Sequence, residues 1–150
     1  MMIIQRTRSV YLLVISLIML ISVSCGDSKP NSRDTGFQMA SMAGMPAEVQ
    51  AAPVTVQQAY QFNVANPDIM THIPCYCGCG AMGHKSNYDC YVDGKNEDGT
   101  IKYDTHALGC SICVDITQDA MRLLQEGKSV EQIKAYVDQT YAQYGPSNMP

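Results

Sequence analysis

The sequence predicts a small, mostly α-helical, cysteine-rich domain that ends in a helical hairpin and follows a signal peptide and a flexible linker. Three observations support this prediction. Apolar residues recur at helical spacing in the last third of the chain. Six of the seven cysteines lie between residues 75 and 113, and an apolar run near the beginning is followed by small and polar residues. The domain, residues 54–146, is small enough to benefit from metal ions or disulfides.

Residues 1–24 have the pattern of a signal peptide. Arg6 and Arg8 precede an apolar run, residues 10–23, that is too short for a comfortable membrane span. The run ends in Ser-Val-Ser-Cys-Gly, which resembles the lipobox of bacterial lipoproteins, in which the cysteine becomes the lipidated first residue. We therefore expect an exported protein, attached through Cys25 to the cell membrane or its periplasmic face. An ordinary secretory signal is the alternative.

Residues 25–53 predict a flexible linker, because small and polar residues dominate there without an apolar period. Within this segment Met39, Met42 and Met45 recur every three residues. The pattern is similar to the Met motifs of bacterial copper-handling proteins, and thioethers are soft ligands that favour Cu(I). The alternatives are three methionines without a common role or one turn of amphipathic helix.

The first element of the folded part is a predicted helix over residues 54–66. Thr55 is placed to cap its start, and Pro67 ends it. Beyond it we expect a tight loop around residues 75–80, one or two helical turns over residues 87–92, an exposed loop over residues 93–99 and a short extended piece over residues 101–103.

Two further helices form the predicted hairpin. The longer one runs from His106 to about residue 126, and Gly127 is well placed to end it. The second begins at Ser129, where Gln132 three residues later completes a capping box. It ends before residues 144–146, Tyr-Gly-Pro.

The densest chemistry lies in residues 74–80, Pro-Cys-Tyr-Cys-Gly-Cys-Gly. Two cysteines at positions i and i+2 are poor disulfide partners, so these sulfurs should face a soft metal ion or thiols elsewhere in the chain. His84 and His106 are close in sequence to cysteines and are further candidates, because imidazole and thiolate together suit Zn(II) and a thiolate-rich set suits Cu(I). The expected metal ligands are Cys75, Cys77, Cys79, Cys90, Cys110, Cys113 and His84.

Two other interpretations of the cysteines remain open. Six cysteines in an exported domain could form three structural disulfides. Alternatively, Cys110 and Cys113 form a Cys-x-x-Cys pair at a helix start, where thiol pKa values are lowered, and could cycle between dithiol and disulfide.

Two resemblances bear on these alternatives. Residues 110–145, with the Cys-x-x-Cys pair, Glu-Gly-Lys-Ser and Tyr-Gly, resemble the cytochrome c maturation thiol-reductase family, whose cysteine pair reduces apocytochrome or a partner disulfide. Over about residues 54–145, the Pro-Cys-Tyr-Cys-Gly-Cys segment, Gly-His-Lys-Ser at 83–86, Asp-Cys at 89–90 and Gly-Cys-x-x-Cys at 109–113 resemble the bacterial family named for the first of these motifs. Many of its members are lipoproteins, and the family has no assigned function.

The sequence therefore predicts a lipid-anchored protein that binds copper or, as the second choice, zinc, for sequestration or delivery rather than catalysis. Its expected partners are the membrane and a metal-accepting or thiol protein. The formal charge of −4 gives no support for nucleic-acid binding.

Overall fold

The computed structural model describes residues 37–149. The predicted signal peptide, Cys25 and the first part of the predicted linker lie outside the described residues. Within them the fold is mostly α, as predicted, with five α-helices and one two-stranded antiparallel sheet. The helices are α1 (Ala47–Gln50), α2 (Val54–Ala65), α3 (Pro67–Met70), α4 (Ser111–Gln125) and α5 (Val130–Tyr141), and the strands are β1 (Val92–Lys95) and β2 (Ile101–Tyr103).

Helices α4 and α5 form the predicted hairpin. Apolar side chains at helical spacing are buried on the facing sides of both helices, with Ile116 on α4 and Ile133 on α5 fully buried. Gly127 has a φ of +79°, and Lys128 N–H donates to the carbonyl of Leu123 at 3.0 Å, which ends α4. The capping box at the start of α5 is confirmed.

The predicted start of α2 at residue 54 is confirmed, but its predicted cap and the predicted start of the long helix are wrong. Helix α2 begins directly after Pro53, whose fixed φ suits a helix start, so Thr55 lies inside the helix and caps nothing. The long helix begins at Ser111 rather than at His106, because Cys110 is extended and interrupts the helical path. Residues His106–Leu108 form a separate 3₁₀ turn before it.

Residues 37–53, which were predicted as part of the flexible linker, pack against the domain. Met45 and Val49 belong to the hydrophobic core, and Phe37 meets the ring of Phe62 edge-to-face at 4.9 Å. Met45 is 3% exposed, whereas Met39 is 40% exposed. Core packing therefore accounts for Met45, and the three methionines have different surroundings.

The sheet is a small hairpin between the cysteine-rich loop and α4. The first strand begins at Val92, which was predicted to end one or two helical turns, and continues over residues predicted as an exposed loop, whereas the second strand matches the predicted extended piece. Val92 pairs with Tyr103, and Lys102 forms an ion pair with Asp93 across the hairpin. The hairpin returns the chain to the cysteine-rich loop, which places Asp104 and His106 beside it. No helix within residues 37–149 is long and apolar enough to cross a membrane.

Candidate metal centre

Five cysteine sulfurs converge in the interior, and we call them the sulfur cluster: Cys75, Cys77, Cys79, Cys90 and Cys113. Cys75 Sγ lies 3.4 Å from Cys77 Sγ and 3.5 Å from Cys113 Sγ. Cys79 Sγ lies 3.6 Å from Cys90 Sγ. A disulfide bond is about 2.05 Å long, and all six described cysteines are free thiols. These separations are therefore contacts between thiols.

His106 supplies the nitrogen donor of the cluster. Its Nε2 lies 3.3 Å from Cys77 Sγ, and Cys77 Sγ lies 3.6 Å from Cys113 Sγ. The donors form two groups, in each of which all the ligand atoms lie within 4.8 Å of one another. The first group is Cys75, Cys77, Cys79 and Cys90, and the second is Cys77, Cys90, His106 and Cys113.

The loop that carries four of the five sulfurs, residues 73–90, is the cysteine loop. It is closed at its base by Asn87 N–H, which donates to the carbonyl of Ile73 at 2.7 Å. Gly78 has a φ of +84°, which L-residues rarely adopt, and this reversal leads into a 3₁₀ turn over Cys79–Met82. The reversal and the 3₁₀ turn bring the sulfurs of cysteines that are two positions apart in sequence to the same side of the loop.

A buried polar network joins the cysteine loop to the first turn of α4. Asn87 Nδ2 donates to the carbonyl of Cys113 at 3.2 Å, and Thr117 Oγ1 donates to Asn87 Oδ1 at 2.8 Å. Asn63 Nδ2 on α2 donates to Thr117 Oγ1 at 3.1 Å, and the Tyr91 hydroxyl is 2.9 Å from the same oxygen. Buried side-chain networks of this kind fix relative positions. This one sets Cys113 against the cysteine loop.

The C-terminal strap, residues 145–149, covers the cysteine loop from the other side. The Asn148 side chain accepts a hydrogen bond from Cys75 N–H at 2.7 Å and donates to the Ser86 carbonyl at 3.0 Å and to Cys79 Sγ at 3.5 Å. At Gly145 a Cβ atom would lie 3.0 Å from the Tyr76 carbonyl oxygen, so the strap approaches as closely as it does because glycine has no side chain. Asn148 was not predicted as part of the site.

The pKa values of the cluster thiols are shifted in opposite directions. Hydrogen bonds from neighbouring thiols, first from Cys113, lower the pKa of Cys75. The pKa of Cys90 is raised by its hydrogen bonds to Cys113 and Cys75, and burial raises the pKa of Cys77. Such opposite shifts follow from crowding, because a buried site limits how many neighbouring thiols can be negatively charged. A metal ion removes this limit by replacing protons.

Two predicted ligands lie outside both donor groups. Cys110 is half-buried beside a shallow groove formed with Pro53, Val56 and Leu108. His84 Nε2 faces Asp104 Oδ2 at 3.5 Å, and its ring stands edge-on to that of His106 with centroids 5.5 Å apart. Asp104 Oδ1 accepts from the backbone N–H of His106 at 2.7 Å. His84 and Asp104 therefore lie behind His106 rather than among the sulfurs.

The spacing of the sulfurs fits metal coordination. A tetrahedral ion with bonds of ~2.3 Å to sulfur holds its ligands ~3.8 Å apart. The contacts of 3.4–3.6 Å within the cluster need only small adjustments to reach that value. Four buried thiols, one half-buried thiol and one half-buried imidazole could therefore hold a soft metal ion.

The fold and site thus define a small, mostly α-helical domain with a buried cysteine cluster that could hold a metal. The chain belongs to the family described as "Protein of unknown function with PCYCGC motif", which it matches over residues 14–150. No curated protein and no solved structure matches it significantly. The resemblance to the PCYCGC family is confirmed, and the resemblance to the cytochrome c maturation thiol-reductase family is not.

Proposed function

We propose that the protein binds Cu(I) through the sulfur cluster and His106, and that it sequesters or delivers the metal rather than catalysing a reaction. The observation that supports this most directly is the convergence of five free thiols and one imidazole at 3.3–3.6 Å. A buried cysteine that only fills space needs no sulfur neighbours. Five thiols in contact with one another without forming disulfides are the arrangement expected of a site for a soft cation.

Copper is preferred to zinc because of the number of sulfurs. A structural zinc site is closed by four ligands, commonly Cys₄ or Cys₃His. Here six donors share one pocket, and five of them are thiols, the ligands that Cu(I) prefers. The methionine segment is a weaker argument, since Met45 lies in the hydrophobic core.

Delivery requires that the metal can leave, and the cluster has one side suited to exchange. Cys75, Cys79, Cys90 and Cys113 are fully buried, whereas Cys77 is half-buried and touches His106. A thiol or thioether of an accepting protein would reach the metal from the Cys77 side. Thiolate ligands on an acceptor would then replace those of the cluster one at a time.

The proposed location is the outer face of the cell membrane, through a lipid on Cys25. This part of the proposal derives from the lipobox-like sequence at residues 22–26 and the apolar run before it. A tether of small and polar residues after Cys25 would hold the copper site within reach of a membrane-associated partner. Metabolic labelling with a radioactive fatty acid, compared between the wild-type chain and Cys25→Ser, tests it: labelling of both chains or of neither would exclude the anchor.

The copper proposal is tested by measuring bound metal and free thiols on the same natively produced, full-length protein. Native mass spectrometry and elemental analysis should find copper on wild-type protein. Substitution of Cys75, Cys77 and Cys79 together by serine should abolish binding. Cys110→Ser is the matched control, since it removes a half-buried thiol outside the cluster and should leave the bound copper unchanged.

Disulfide chemistry within the cluster is the second candidate. Cys75 and Cys113 lie 3.5 Å apart and Cys79 and Cys90 lie 3.6 Å apart, so small side-chain movements could close both bonds. These pairs differ from the Cys110–Cys113 couple expected of a thiol reductase. Protein isolated with four fewer free thiols and no metal would support this candidate and exclude the copper proposal.

A further inference from the structure

The two donor groups of the sulfur cluster overlap. Cys77 and Cys90 belong to both, so each lies within 4.8 Å of all the other donors. Of the remaining four donors, Cys75 and Cys79 occur in the first group and Cys113 and His106 in the second, and Cys75 Sγ also lies 3.5 Å from Cys113 Sγ across the two groups. A thiolate sulfur has lone pairs enough to bind two metal ions at once, which an imidazole nitrogen does not.

One ion cannot use all of these donors. Cu(I) takes at most four ligands, as Zn²⁺ does in its tetrahedral sites, so a single ion would leave at least two of the six donors unused. At least one of these would be a thiol in the interior, next to a metal and without a function. Two four-coordinate ions need eight bonds, and six donors supply eight bonds when two of them bridge.

We propose that the sulfur cluster is a dinuclear centre in which the sulfurs of Cys77 and Cys90 bridge two Cu(I) ions. Cys75 and Cys79 complete the coordination of one ion, and Cys113 and His106 complete the coordination of the other. This inference rests on the proposed function and specifies how many ions the site holds and which residues they share.

The contacts agree with this division. Cys77 touches Cys75 at 3.4 Å in the first group, and it touches Cys113 at 3.6 Å and His106 at 3.3 Å in the second. Cys90 touches Cys79 at 3.6 Å. Four of the five contacts thus join a bridging residue to a terminal one, and the fifth, Cys75 to Cys113 at 3.5 Å, joins terminal ligands of different ions.

The experiment is an anaerobic Cu(I) titration of the full chain carrying C25S and C110S, in competition with a chromophoric Cu(I) chelator. This background leaves only the five cluster thiols of the seven cysteines. We expect saturation at two copper ions per chain. Two tetrahedra that share an edge, with bonds of ~2.3 Å, place their metals roughly 2.7 Å apart. X-ray absorption of the loaded protein should therefore show a copper–copper distance below about 3 Å.

Single substitutions in this background separate bridging from terminal ligands. Cys77→Ser and Cys90→Ser should each reduce binding from two ions to one and remove the copper–copper signal. His106→Ala should keep both the second ion and the signal, with a copper affinity at least tenfold weaker. Circular dichroism checks that each variant stays helical. If a bridging variant unfolds, the stoichiometry and the metal–metal distance of the parent chain still decide whether the centre is dinuclear.

Saturation at one copper per chain would overturn the dinuclear centre and leave the copper proposal intact. Two ions without a copper–copper distance below about 3 Å would overturn the bridging roles. Loss of the signal in His106→Ala but not in Cys77→Ser would also contradict them. Failure of the parent chain to bind any copper would reject the proposed function itself, which distinguishes the two failures.

Discussion

The cysteine loop and the α4–α5 hairpin are stabilised in different ways. In the hairpin, buried aliphatic side chains recur along each helix, and the helix ends are satisfied by neighbouring residues, as at Ser129 and Gly127. In the cysteine loop there is one 3₁₀ turn before Tyr88, and the interior is lined by thiols whose partners come from distant parts of the chain. The apolar side chains of the hairpin belong to the one hydrophobic core of the described residues, and the cysteine loop depends on its contacts with that core.

This difference indicates a division of labour between scaffold and site. A thiol buries less apolar surface than leucine or isoleucine, and it carries a proton that a metal can replace. Placing four thiols in the core and a fifth at its edge contributes less to the stability of the domain than aliphatic side chains would, and it leaves donors there that could hold a metal. The first turn of α4, which carries Cys113, connects the two regions.

Among these predictions, copper binding should have the largest effect on stability, and it should act on the cysteine loop more than on the hairpin. A ligand that binds only the folded state at about 1,000 times its Kd stabilises that state by ~4 kcal/mol. We expect Cu(I) to raise the free energy of unfolding by about that amount in urea titrations. Hydrogen exchange should slow most at the amides of residues 75–90. If hydrogen exchange slowed equally in the middle of α5, the cysteine loop and the hairpin would open as one unit. That result would contradict the distinction between the two regions.

Truncation of the hairpin core should lower stability without changing the metal site. Ile133 is fully buried on α5 and is not one of the donors of the sulfur cluster. Ile133→Ala should reduce the free energy of unfolding by about 2–5 kcal/mol, measured by urea denaturation, with the copper stoichiometry unchanged. Val54→Ala is the matched control, because Val54 is 66% exposed and should change stability by less than about 0.5 kcal/mol. A fall in copper stoichiometry in Ile133→Ala would contradict the division.

The hairpin was the part of the fold most accessible from sequence, because its signals are local. Helical periodicity and the capping box depend on residues three or four positions apart, and the structure contains both. The predicted start at His106 failed because the backbone is extended at Cys110, which separates the 3₁₀ turn over His106–Leu108 from α4. The packed segment around Met45 was not predicted, because its few buried side chains are scattered among small and polar residues and form no apolar period.

The site was predictable as a set of cysteines but not as a geometry. Sequence spacing treats Cys110 and Cys113 as equivalent members of one pair, yet only the sulfur inside the first turn of α4 faces the cysteine loop. The choice between His84 and His106 depends on Asp104, which the β-hairpin positions. Asn148 lies 73 residues from Cys75 in sequence, and no local pattern indicates that they meet.

Substitution of Asn148 tests whether the C-terminal strap affects copper binding at the cysteine loop or only the stability of the fold. Asn148→Ala removes hydrogen bonds to Cys75 N–H, the Ser86 carbonyl and Cys79 Sγ. Unpaired buried groups cost about 1–3 kcal/mol, so we expect a loss of that size in urea denaturation together with weaker copper binding in chelator competition. Asn96→Ala, at the exposed tip of the β-hairpin, is the control and should change neither. An unchanged copper affinity in Asn148→Ala would assign the strap a purely structural role.

The smallest expected effect is at the N-cap of α5. The Ser129 hydroxyl accepts a hydrogen bond from Gln132 N–H, and the Gln132 side chain accepts one from Ser129 N–H. Ser129→Ala should lower the free energy of unfolding by ~1 kcal/mol, the usual value of such a cap, in the same denaturation assay.

Ser111→Ala provides the comparison for this cap, since Ser111 is exposed at the first position of α4 and forms no side-chain cap. Neither substitution should change copper affinity, because Ser129 lies at the far end of α4 from Cys113 and Ser111 adds no donor to the cluster. A copper affinity altered by Ser129→Ala would show that strain at the turn of the hairpin reaches the sulfurs through α4. Scaffold and site would then be coupled along that helix rather than joined only at its first turn.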